Sequence, residues 1–255
     1  MTDTGVRIDR ADGVLVVTLD RPEVRNAVDA ATSVAVAAAM DLLDADDDLT
    51  VGVLTGAGGT FCAGMDLKAF LRGEVPSVEG RGFGGLVQAP PAKPLIAAVE
   101  GYALAGGCEL ALACDLVVAA EDASFGLPEV RRGLMAGAGG LLRLPRRIPP
   151  QIAMEHALTG DPMTAVEAHR WGLVNRLTAP GGALDAAREL ALRISRNGPL
   201  AVRATKKVLV EAPTWPGDEV WDRQAAILAT VFTSEDAREG ATAFAERREP
   251  RWTGR

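Results

Sequence analysis

The chain has 255 residues and a formal net charge of −7, with a pI near 5.0, which excludes the broadly basic surface that a nucleic-acid binder uses to neutralise phosphates. Hydrophobic residues at 48% and charged residues at 24% describe an ordinary globular chain, long enough for one domain with a sizeable core. Cys62, Cys108 and Cys114 are too few and too irregular for a disulfide framework, and Met1-Thr2-Asp3-Thr4 lacks the pattern of a secretory signal, so a cytoplasmic protein is expected.

Val6-Arg7-Ile8 and Val14 to Leu19 flank Asp12-Gly13, which predicts an opening β-hairpin because glycine tolerates the positive φ of a tight turn. Apolar residues at helical spacing, Val34, Ala38 and Leu42, predict an amphipathic helix from about Asp29 to Asp44. A strand is expected at Val51 to Leu54, then a glycine-rich turn over 55–59. Residues 72–85 mix glycines and charges without periodicity and read as a mobile loop. Leu95 to Val99 and Leu116 to Ala120 have buried-strand length, with a helix between them. The apolar run from Ala103 to Ala120 is broken by Glu109 and Asp115, whose charges make a membrane span costly. From Gln151 helical patterns dominate, over 151–158, 164–171, 183–196, 199–211 and 218–247. Core and helical region divide near Pro180-Gly181-Gly182.

Two loops carry the chemistry. Gly101-Tyr102-Ala103-Leu104-Ala105-Gly106-Gly107-Cys108-Glu109 sets a carboxylate one turn after two glycines in an apolar run, where burial penalises the charge unless something uses it. Thr60-Phe61-Cys62-Ala63-Gly64-Met65-Asp66-Leu67-Lys68 follows a strand and a glycine turn. Both can present backbone amides to a ligand. No phosphate-binding loop occurs and neither Gly-Ala-Gly-Gly run completes a Gly-x-Gly-x-x-Gly fingerprint, which disfavours nucleotide hydrolysis and nicotinamide use. Without Cys-x-x-Cys spacing no structural zinc site is expected, and His156 and His169 lie far along the chain from both loops.

These two loops, in this order and separation, resemble the enoyl-CoA hydratase/isomerase family, the crotonase superfamily. Arg21-Pro22 with Arg25-Asn26-Ala27, Phe125 to Glu129 with Gly137-Ala138-Gly139-Gly140, Leu158 to Asp161, Gly172 to Asn175 and Glu235 to Gly240 extend the resemblance over almost the whole chain. It implies an α/β fold, a spiral of repeated ββα units over 1–180, and a helical region over 181–255 that builds trimers, often paired into hexamers. It also implies an enoyl-CoA hydratase that adds water across a 2,3-double bond. No cofactor is implied, since coenzyme A arrives as part of the substrate. Isomerisation, dehydration of a hydroxyacyl-CoA such as carnitinyl-CoA, or a non-catalytic acyl-CoA-binding subunit are the alternatives.

By the same resemblance Glu109 and Glu129 match the catalytic carboxylates, the amides of Met65 and Gly106 the oxyanion hole, and Gly137 a residue that orients water. Ala63, Asp66 and Leu67 match positions whose backbone lines the adenine pocket, with Arg25 and Lys68 as phosphate contacts. Taken singly, Glu109 also reads as a buried charge paired to an arginine, and Glu129 as a turn residue paired to Arg131 or Arg132. Having both beside two glycine loops favours hydration, because two neighbouring carboxylates cannot both ionise freely. Arg143, Arg146 and Arg147, and Lys206-Lys207, are basic clusters that could meet an anionic ligand or face water, and the solvated reading is favoured for each. Met65 stands where the family often has a small residue, and Ala136 where it often has proline.

Overall fold

The computed structural model describes residues 4–255. The strands are β1 (Val6–Ala11), β2 (Val14–Leu19), β3 (Val51–Gly56), β4 (Ser77–Val78), β5 (Gly82–Phe83), β6 (Leu95–Val99), β7 (Tyr102–Leu104), β8 (Leu116–Ala120), β9 (Ser124–Gly126), β10 (Met163–Thr164) and β11 (Arg176–Thr178). The helices are α1 (Ala30–Ala45), α2 (Leu67–Leu71), α3 (Gly106–Ala113), α4 (Gly140–Arg147), α5 (Pro150–Thr159), α6 (Ala165–Arg170), α7 (Ala183–Ser195), α8 (Pro199–Glu211), α9 (Val220–Phe232) and α10 (Glu235–Glu246). Short 3-10 turns add Pro22–Val24, Pro128–Arg132 and Ala212–Thr214.

Six strands form the large sheet in the order β1-β2-β3-β6-β8-β11. The opening hairpin is antiparallel, with Asp12 and Gly13 both at positive φ, and every later pairing is parallel. Parallel strands need cover on both faces, and the alternation of side chains supplies it. Leu15, Val17, Leu19, Leu54, Leu95, Ala97, Val99 and Val117 join the main core, with Val36, Met40 and Leu43 of α1. The opposite face, with Val14, Val16, Val51, Val53, Ile96, Ala98 and Val118, packs on Ala183, Ala187 and Ala191 of α7. Alanines four apart form one smooth stripe that lets the helix sit close to the sheet. The packed core therefore continues past residue 180.

A second sheet stacks β10-β9-β7, and an isolated bridge from Cys62 to Ala103 extends it by one position. Each turn of the chain thus runs from a large-sheet strand to a short-sheet segment and on to a helix: β3, Cys62, α2; then β6, β7, α3; then β8, β9 and the turn Pro128–Arg132. This is the ββα spiral.

Charged side chains fasten the turns together. Glu100, just beyond β6, accepts hydrogen bonds from the amides of Gly181 (3.0 Å) and Ala183 (2.9 Å), which caps α7 from across the fold. Asp115 accepts from the Leu95 amide (2.8 Å) and the Lys206 ammonium (2.6 Å), and Lys206 also donates to the carbonyls of Pro91 and Lys93.

Four sequence expectations change. Residues 72–85 contain the small antiparallel hairpin of β4 and β5, with Gly82, Gly84 and Gly85 buried. The 218–247 helix is two helices, the second begun by the Ser234 side chain accepting from the Ala237 amide. Helix α4 was not expected, because its leading glycines and Pro145 all read as breakers. Finally, Lys206 and Arg147 are not solvated: the first makes the bonds just described and the second donates to the Cys114 carbonyl. Of the pair Lys206-Lys207, only Lys207 faces water, with Glu211 at 3.4 Å.

Lys206→Ala strands the Asp115 carboxylate and is expected to lower unfolding free energy by about 3 kcal/mol. Lys207→Ala removes an exposed pair and is expected to change it by less than about 0.5 kcal/mol. Urea denaturation of the two variants beside the parent chain checks both values.

Candidate active site

The register of the short sheet brings three loops to one place. Cys62 pairs with Ala103, and Ala103 with Phe125. Counting on from these stacked residues, Met65 and Gly106 come three positions later and Glu129 four. The same end of the stack therefore presents all three, although 64 residues separate the first from the last.

The amide of Met65 is aimed by its neighbours. Val28 bridges Met65 in parallel register: Val28 donates to the Gly64 carbonyl at 2.8 Å, and Asp66 donates to the Val28 carbonyl at 2.9 Å. The Met65 N–H consequently points away from Val28. Gly106 is the first residue of α3, where the N–H has no intrahelical acceptor and the helix dipole favours negative charge. Neither amide donates to a protein acceptor among the described residues. Ala105, with φ 52° and ψ −128°, turns the chain into α3 in a conformation that costs an L-residue about 1–3 kcal/mol. Its N–H donates to Gly126 at 2.9 Å and its carbonyl accepts from Glu109 at 3.1 Å, which hold it there.

Side-chain space around these two amides is closed. A Cβ on Gly106 would lie 2.5 Å from the Phe83 ring, and one on Gly107 would lie 2.1 Å from the Cys62 carbonyl oxygen. Phe83 comes from the β4–β5 hairpin, so the segment that the sequence left as a loop forms a wall.

Glu109 lies one turn into α3, 3% exposed. Its Oε1 accepts from the amides of Ala138 (2.7 Å) and Gly140 (2.8 Å) at the start of α4. No arginine pairs with it among the described residues. Burial raises its pKa, the two amides pull against that, and the neighbouring Glu129 raises it further. Glu129 follows Pro128 in the 3-10 turn, and its Oε2 is buried without a hydrogen-bond partner. Burial raises its pKa too, opposed by its own amide and by Arg132. The surface pairing is absent: Arg131 instead donates to the Thr159 carbonyl and to Asp161.

A cavity of about 890 Å³ opens onto these groups. Met65, Gly106, Glu109, Glu129, Gly137, Arg25, Ala63 and Leu67 line it. Asp66 and Lys68 do not. The Asp66 carboxylate is spent within the protein: it caps α2 by accepting from Lys68 and Ala69 and pairs with Arg21 at 3.0 Å. Burial works against that charge, but the Ala69 amide and Arg21 hold its pKa below the ordinary carboxylate value.

The sequence missed the amides of Ala138 and Gly140, for which the glycine run was the signal, and Arg143. Read there as solvated with its cluster, Arg143 lines the cavity and donates to the Val87 carbonyl. Its neighbour Arg146 lines the cavity as well. The three cysteines are buried and their thiols are pushed up to about 12 by burial, so none is a ready nucleophile. No group of three or more His, Cys, Asp or Glu is arranged to hold a metal among the described residues.

Comparison with known proteins identifies the family. Residues 9–255 match the family model for enoyl-CoA hydratase/isomerase. The carnitinyl-CoA dehydratase of Salmonella enteritidis PT4 is 44% identical over 98% of each chain. Among solved structures, the enoyl-CoA hydratase from Mycobacterium tuberculosis H37Rv is 61% identical with a TM-score of 0.98, covering 99% of this chain and 100% of that one. The carnitinyl-CoA hydratase from Mycobacterium avium is 47% identical with a TM-score of 0.79, covering 100% of both chains. Matched along nearly its full length in sequence and in fold, the chain belongs to the enoyl-CoA hydratase/isomerase family.

Proposed function

We propose that the protein is a hydro-lyase that moves water across the 2,3-bond of a CoA thioester. The observation that carries this reading is the meeting of two carboxylates of raised pKa with two unpartnered amides at one cavity. The amides of Met65 and Gly106 hold the thioester oxygen. As water adds to Cβ, or as a proton leaves Cα, charge moves onto that oxygen, and the two donors stabilise the enolate-like state.

Glu109, held by two amides, serves as the carboxylate that takes a proton from water during hydration. Glu129, with an unpartnered oxygen, serves as the acid that protonates Cα. Dehydration of a hydroxyacyl-CoA runs the same steps backwards, and Gly137, which lines the cavity, serves to orient the water. Coenzyme A is held by the backbone at Ala63 and Leu67, with Arg25 on its phosphates; Asp66 and Lys68, outside the cavity lining, are outlying contacts at most. No cofactor beyond the substrate's own coenzyme A takes part.

Relatives named carnitinyl-CoA dehydratase, 44–45% identical over 98% of the chain, favour dehydration of a hydroxyacyl-CoA of that kind over general enoyl-CoA hydration. The first assay therefore pairs carnitinyl-CoA with crotonyl-CoA and follows the ultraviolet absorbance of the enoyl thioester, which rises on dehydration and falls on hydration. Glu109→Gln and Glu129→Gln should each lower kcat about 100-fold or more. Turnover of a 3-enoyl thioester alone, unaffected by Glu109→Gln, would make the protein an isomerase.

Both carboxylates titrate above their ordinary range, so the acid limb of the rate profile should lie above the usual carboxylate pKa. The stability sign follows. A carboxyl whose pKa is raised by folding favours the native state at low pH, and that contribution is lost as pH rises through the folded pKa. At neutral pH Glu129→Gln should melt at a higher temperature than the parent while losing turnover; a lower melting temperature would contradict the raised pKa.

The helical region after the core is proposed to join copies into a trimer or hexamer. On α9 and α10 the side chains of Trp221, Phe232 and Phe244 are 75%, 73% and 88% exposed, an apolar surface that needs cover. Light scattering should give a trimer or its double, and Phe244→Glu should shift the mass toward one chain.

A further inference from the structure

We infer that Arg21 is a positioning residue for the oxyanion hole, aiming the Met65 amide through Asp66 and the Ala27 carbonyl; this rests on the proposed hydro-lyase reading. Arg21 does not line the cavity, so it acts only through other groups.

The Met65 amide needs such support. Met65 belongs to no helix and to no strand longer than a single bridge, so the direction of its N–H depends on what fixes residues 63–66. Three main-chain hydrogen bonds stitch that segment to residues 25–28: Ala63 to the Arg25 carbonyl at 3.0 Å, and the two bonds on either side of Met65 already described. Arg21 spans this seam. Its Nη1 donates to the Ala27 carbonyl and lies 3.1 Å from Asp29 Oδ2, while Nη2 donates to Asp66 Oδ2 at 3.0 Å. One guanidinium thus joins the residue before Val28 to the residue after Met65.

The arginine is itself built in. Its side chain is 20% exposed, and a Cβ on Gly5 would meet Arg21 Cδ at 2.4 Å, so the stem runs against the chain there. The Arg21 amide donates to Asn26 Oδ1 at 2.9 Å, and Asn26 Nδ2 donates to the carbonyls of Ala57 and Thr60 at 2.8 and 2.6 Å. Asp66 is fixed from its other oxygen by the amides of Lys68 and Ala69 at 3.0 and 3.1 Å. Rigid groups at both ends leave the Met65 loop little freedom. A planar fork serves here as a lysine's single nitrogen does not, because two separate nitrogens, Nη1 and Nη2, each reach an acceptor on a different segment.

The test compares Arg21→Lys and Asp66→Asn with the parent chain. Steady-state rates on carnitinyl-CoA and crotonyl-CoA give kcat and KM separately, and titration with acetoacetyl-CoA reads the enolate absorbance that a formed hole stabilises. Both variants should lose about 10- to 100-fold in kcat with KM changed less than about 3-fold, and show a weaker enolate band at saturation. The double variant should be no worse than the poorer single one, because the two residues act in one linkage. Lower melting temperatures with full kcat and an undiminished band would reduce Arg21 to a structural role and overturn the inference. A parent chain that turns over neither thioester would overturn the hydro-lyase reading alone, since the enolate band still reads the hole. Absence of the band from the parent as well would overturn both.

Discussion

Register in the short sheet is the constraint on which the rest of the molecule depends. Cys62, Ala103 and Phe125 lie side by side, and each is followed after three or four residues by a group of the site. A slip of one residue in any layer would reverse its side chains and move its loop away from the others. The stack tolerates no such slip. Gly107 passes so close beneath Cys62 that a single methyl group would collide with the carbonyl oxygen, and Gly64 meets Ala105 in the same way, its Cβ position 2.9 Å from that of Ala105. The glycines and the register are one constraint expressed in two ways.

The site holds several unfavourable features that the surrounding fold must offset. Ala105 sits in a conformation natural to glycine, Glu109 is buried, and one oxygen of Glu129 has no partner. Their cost is borne by regions that do no chemistry. The large sheet is sealed on both faces, and α7 is fastened to it by an alanine stripe and by the Glu100 cap. Lys206 draws α8 onto the same sheet through Asp115. Strained or destabilised groups persist where the surroundings over-determine them, and here the over-determination is located in named contacts.

What could be read from the sequence follows from the range of the interactions involved. The opening hairpin was legible because Asp12-Gly13 acts locally, and α1 was legible as a helix but not in its buried face: of the stripe Val34, Ala38 and Leu42 the first two are exposed, and Val36, Met40 and Leu43 face the core. Glu109 stood out as a charge in an apolar run. The two-residue strands β4 and β5 left no periodic trace, since a period needs more than two residues to show. Helix α4 was hidden by the same glycines that let its first amides close on Glu109. The fates of Lys206 and Asp66 were illegible for another reason: their partners lie 91 and 45 residues away, and nothing in local composition distinguishes such a charge from one in water. The resemblance to a family supplied loop identities; it did not say that the Asp66 side chain is turned inward to Arg21.

Because the proposed hole is made from main-chain amides, the side chain at position 65 is released from the chemistry proposed there. Met65 reaches the cavity with a flexible thioether, the most adaptable of the apolar side chains. Substitution there can reshape the cavity wall while the amide stays in place, so long as the seam to Val28 is kept. Descent can therefore vary the cavity at this residue one mutation at a time, with the two main-chain donors carried along unaltered.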